Sequence, residues 1–87
     1  MDPPVTVERL SQINQEIIRI DNEKLQQEQI LAAFWEHLPA LDPEAAGKIM
    51  QEIRDHIRDL KERKKALYEE QKALIVQAAI TASRRLE

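Results

Sequence analysis

A six-residue break, Leu38-Pro39-Ala40-Leu41-Asp42-Pro43, separates two long amphipathic stretches, and it constrains this chain more than any other feature. Pro39 has no amide hydrogen with which to continue a helix, and its ring biases Leu38 toward extended backbone, so the first helix has to stop there. Asp42-Pro43-Glu44 then reads as a fresh start: a side-chain cap, a proline already set for the first helical position, and an acid at the positive end of the helix dipole. Leu41 is placed to staple onto Ala46. So short a connection makes the two helices antiparallel neighbours. The spacing predicts helix one over 6–38, a turn over 39–42 and helix two over 43–85, within one helical-hairpin domain spanning 1–87.

Composition agrees with an all-α reading. With Gly 1, Pro 4 and aromatics at 3%, the chain lacks the turn punctuation and the β-branched or aromatic runs of sheets. Charged residues make up 33% and the formal net charge is −3, which favours protein partners over nucleic acid or a membrane surface. Cys 0 removes disulfides and thiolate chemistry and suits a reducing compartment, so the expected location is the cytoplasm. No secretory signal is read at the acidic, proline-led start, and the apolar run 73–82 falls well short of the roughly 20 residues a membrane span needs.

In helix one, Thr6 is the expected N-cap, with the Pro3-Pro4 pair outside the helix. Leu10, Ile13, Ile17, Ile20, Leu31, Phe34 and Leu38 follow the alternating three-four spacing of a coiled-coil seam. Lys24 and Gln27 interrupt it. Helix two repeats the pattern with Ala46, Met50, Ile53, Ile57, Leu60, Leu67, Leu74 and Ala78, interrupted by Lys64 and Gln71. Folding at the break sets Leu31 against Ile53, Ile17 against Leu67 and Leu10 against Leu74. Each polar interruption then faces an apolar residue, Gln27 against Ile57, Lys24 against Leu60, Lys64 against Ile20 and Gln71 against Ile13, and has two readings: a side chain that snorkels outward, or a device that sets register and oligomer state. Gly47, costly inside a helix by about 1 kcal/mol against Ala, is expected where the two backbones approach closely.

Apolar residues remain beyond the seam. Ile18, Leu25, Ile30 and Trp35 widen the face of helix one, while Leu74, Ile75, Val76, Ala79 and Ile80 belong to a segment apolar nearly all round. From the helix lengths, that segment is expected to overhang helix one. These nine residues are the candidate partner-binding set, and the simplest ways to cover them are a four-helix bundle of two copies or a helix from another protein. Arg54, Arg58, Lys61, Lys65, Tyr68 and Lys72 form a basic ridge, with Glu52, Asp55, Asp59, Glu62 and Glu69 beside it to repel phosphates.

Catalytic chemistry finds little foothold. One glycine rules out a Gly-rich phosphate loop, and His37, His56 and Glu52 do not make a metal site, so no metal or other cofactor is expected. The stretch Leu10, Ile13, Ile17, Ile20-Asp21 resembles the opening helix of the all-helical chorismate mutases. That family has an arginine where this chain has Asn14, and a later arginine that no basic residue near Phe34 matches. The likeness is therefore one of helix periodicity, and no catalytic residue is assigned. The expected function is a non-catalytic interaction module of the adaptor, assembly-factor or chaperone-like kind, with Lys24, Gln27, Lys64 and Gln71 selecting the partner. The alternatives are a purely structural homodimer and a basic-ridge binder of nucleic acid or acidic protein.

Overall fold

The computed structural model describes residues 3–37 and 42–86, in which two helices, α1 (Pro3–Glu36) and α2 (Pro43–Leu86), pack along each other. Together they form a rod of 68 × 15 × 15 Å. The seam predicted from the spacing is the line of contact. Ile13, Ile17, Ile20, Ala46, Met50, Ile53, Leu60 and Leu74 are buried along it. Leu10 and Leu67 pack against the Ile13, Ile17 and Leu74 cluster, which fixes the antiparallel register at the pairing expected.

The start of α1 differs from expectation. The helix starts at Pro3, a turn earlier than Thr6, because a proline in the first turn gives up an amide that has no intrahelical acceptor anyway. Thr6 is therefore an interior helical residue, 92% removed from solvent at 8% exposure, and not the cap. At the other end the His37 amide is shared between the Ala33 and Phe34 carbonyls at 3.1 and 3.3 Å, a tightened last turn. The Leu41 staple and the Leu38-Pro39 stop lie outside the described residues. For α2, the Asp42 carbonyl accepts from the Ala46 amide at 2.9 Å, the first bond of the helix, which puts Asp42 at the cap position as read from sequence.

The early start of α1 also shortens the overhang. In the observed register residue 3 lies level with about residue 81, so Ile75, Val76, Ala79 and Ile80 run alongside the first turns of α1 and not past them. Leu74 is buried at 8% in the seam itself, and it leaves the candidate partner-binding set for the core.

Gly47 corrects another expectation. A Cβ built there meets nothing within 4 Å, so no close backbone approach requires glycine. Gly47→Ala should then raise stability by about 1 kcal/mol through helix propensity alone. Urea unfolding followed by circular dichroism measures this, and a loss of stability would mean the site is more crowded than its geometry indicates.

Candidate interaction surface

Cross-helix polar ties mark the two edges of the seam. On one edge Lys64 Nζ donates to Asp21 Oδ1 at 2.6 Å and Gln71 Nε2 donates to Asn14 Oδ1 at 2.9 Å. On the other, Arg9 forms a two-pronged pair with Glu70, 2.5 Å from Nε and 2.7 Å from a terminal guanidinium nitrogen, and His56 Nε2 lies 2.8 Å from Glu23 Oε1. The first edge is called the lysine flank below.

These ties show how the polar seam positions are accommodated. Lys64 and Gln71 were expected to face Ile20 and Ile13. Each reaches past its isoleucine to the polar side chain one residue further on, Asp21 or Asn14. Lys24 does the same within its own helix, 3.5 Å from Glu28 Oε1. The hydrogen bond and charge of Asp21 raise the Lys64 ammonium above its ordinary range, against a smaller opposing effect of burial. Lys64 Nζ also sits 5.6 Å from the centre of the Tyr68 ring.

The Arg9 fork similarly holds the Glu70 carboxyl below the usual carboxylate range, chiefly through the hydrogen bond. A depressed carboxylate contributes stability that is complete above its unfolded value and is lost as pH falls through its folded value. In an NMR titration Glu70 should therefore titrate below the usual carboxylate range, and Arg9→Ala should return it to that range. An unchanged midpoint in the variant would show that the pair does not persist in solution.

Helix periodicity assigns the exposed apolar residues to flanks. Ile18 is four residues from Asn14 and three from Asp21, Leu25 is four from Asp21, and Ile75 is four from Gln71, so all three lie on the lysine flank. Ala79 continues Ile75 by one turn. Trp35 belongs here too, two heptads on from Asp21, with the Arg54 guanidinium stacked 5.8 Å from its ring centre. Two residues that the sequence reading left out of the set complete the stripe: Val7, one heptad before Asn14, and Tyr68, which shares the Lys64 turn. Exposure along it runs from 47% at Tyr68 to 66% at Val7.

The other members of the expected set lie elsewhere. Ile30 is one heptad beyond Glu23, and so sits on the opposite flank beside the equally exposed Ile49, itself one heptad before His56. Val76 and Ile80 face away from the seam, two and six residues on from the buried Leu74, and line a shallow groove with Ala73, Gln77 and Thr81. The spacing had put Ile30 on one face with Ile18 and Leu25, and Val76 and Ile80 in an overhang apolar nearly all round, because a sequence shows only that a residue is off the seam. Which side it takes depends on the cross-helix ties.

The basic ridge keeps to the lysine flank, but its members are engaged differently. Arg54 is committed to Trp35, and Arg58 lies 3.5 Å from Asp55. Lys61, Lys65 and Lys72 join Lys24, Lys64, Tyr68 and Glu69 around a groove of about 510 Å³ on the lysine flank, where the lysine stems supply apolar walls and the ammonium groups a charged rim. Among the described residues no three His, Cys, Asp or Glu side chains gather as a metal site would require, and no helix is long and apolar enough to cross a membrane. Asn14, where the chorismate mutase likeness would want an arginine, is used in the tie to Gln71. Searches for a matching protein-family model, a matching curated protein and a matching solved structure each found none.

Proposed function

We propose that this chain is a non-catalytic protein-interaction module whose working surface is the lysine flank. The observation that carries the reading is the gathering of Val7, Ile18, Leu25, Trp35, Tyr68 and Ile75, from both helices, on one side of a rod where no third layer among the described residues covers them. Soluble proteins seldom leave so long an apolar stripe without a use. The partner surface is helical, since a straight two-helix flank offers heptad-spaced anchors and no sheet edge. Its margin is acidic, to meet Lys61, Lys65 and Lys72. An adaptor, assembly factor or chaperone-like subunit acting in the cytoplasm fits this chemistry, and the absence of cysteine suits that reducing environment.

A photo-crosslinking residue separates this surface from the rest of the rod. Placed at Ile18 or Ile75 in cells, it should trap a protein, including a second copy of this chain. Placed at Gln15 or Gln26, which lie on the side of α1 turned away from the seam, it should trap little. Equal trapping at all four positions would remove the lysine flank as the working surface.

A further inference from the structure

We infer that the lysine flank is occupied by a second copy of this chain, and that the two rods lie side by side with their turns at the same end. The inference rests on the lysine flank being the working surface, and it adds both the occupant and its orientation. The occupant has to offer heptad-spaced apolar residues with acids between them. The edge of α1 supplies that pattern, because Ile18 and Leu25 are seven residues apart and Asp21 and Glu28 are interleaved with them at the same interval. The edge of α2 supplies its complement in Lys61, Lys65, Tyr68 and Lys72. The two helices are also opposite in overall charge. Six acids and three bases give α1 a net −3, whereas seven acids and ten bases give α2 a net +3.

That polarity chooses between the two ways in which one flank can meet itself about a two-fold axis. An axis perpendicular to the helices would stack α1 on α1 and α2 on α2, bringing the lysines of one copy onto those of the other. An axis parallel to the helices lays α1 of each copy over α2 of the other at the same height. Ile18 then comes level with Tyr68 of the second copy, Asp21 faces its basic groove and Glu28 lies near the level of its Arg58, since residues whose numbers sum to about 84 share a height in this register. The product is a four-helix bundle in which every neighbouring pair of helices is antiparallel.

The chain has Cys 0, so one introduced cysteine gives one label per copy. Ala45→Cys near the turn and Ser83→Cys near the free end are both exposed positions equally far from the middle of α2. After spin labelling, pulsed EPR should give label separations within about 30 Å for both variants, because diagonal helices in a bundle with 8–10 Å spacing lie about 14 Å apart. Separations near 55 Å for both variants, the distance expected for a perpendicular axis at 1.5 Å per residue, would overturn the orientation. Light scattering on the unlabelled chain should give twice the 10.1 kDa chain mass, and a monomer at 100 µM would overturn the second copy as occupant. A monomer whose Ile18 photo-crosslinks to another protein would defeat this inference alone, whereas equal trapping at Gln15 and Gln26 would defeat the functional reading beneath it.

Discussion

Leu60→Ala should cost about 2–5 kcal/mol, at its upper end enough to unfold much of the population at room temperature. Leu60 is 1% exposed and Ile13 is 0% exposed, and these are the largest fully buried side chains along a seam that has only one other helix to fill it. A single domain of this length has a total stability on the order of 5–10 kcal/mol. Two helices sharing one seam bury less than a compact domain does, which puts the hairpin toward the lower end. The same truncation at Val76, which is 49% exposed and faces away from both the seam and the lysine flank, should stay within about 0.5 kcal/mol. Urea unfolding monitored at 222 nm, with all proteins at one concentration, makes the comparison. Similar losses at both positions would mean that the seam is not the structural axis of the hairpin.

How much of this was legible in the sequence depends on the range of the interaction. The Pro39 to Pro43 break, the cap at Asp42 and the three-four spacing are local signals, and they sufficed for two antiparallel helices in the observed register. Local signals also misled at Pro3-Pro4, where proline's reputation as a breaker outweighed its fitness for a first turn. Leu74 had two readings, opposite Leu10 on the seam and within the apolar terminal segment, and the seam is where it packs, with Ile13 and Ile17. The side taken by each off-seam residue was not legible at all. Ile18 and Ile30 read alike as additions to the stripe, but they fall on opposite flanks, because the pairings of Asp21 with Lys64 and of Glu23 with His56 decide which edge is which. Those pairings join residues 43 and 33 positions apart, and no local window contains both partners.

Converting the polar seam to leucine should make the hairpin more stable and its association less specific. Lys64 has 26% of its side chain exposed and spends its charge on Asp21 and the Tyr68 ring. An ion pair so open to solvent contributes little. A leucine fully buried in its place would contribute about 1.5–3 kcal/mol, so a partly exposed site should gain on the order of 1 kcal/mol. Gln71→Leu, which gives up one amide hydrogen bond to Asn14, should behave similarly. Together they should raise the melting temperature by roughly 5–15 °C for a domain of this size. The loss appears in assembly. Lys64 and Gln71 stand at the margin of the lysine flank, where their polar ends forbid contacts that any apolar surface would otherwise accept. With leucine there the apolar stripe widens and alternative registers between chains no longer strand a charge. Sedimentation velocity should then resolve several species where the parent chain gives one. A double variant that is stabilised yet keeps a single mass would show that Lys64 and Gln71 are tolerated on the seam for their solubility and do not set how copies meet.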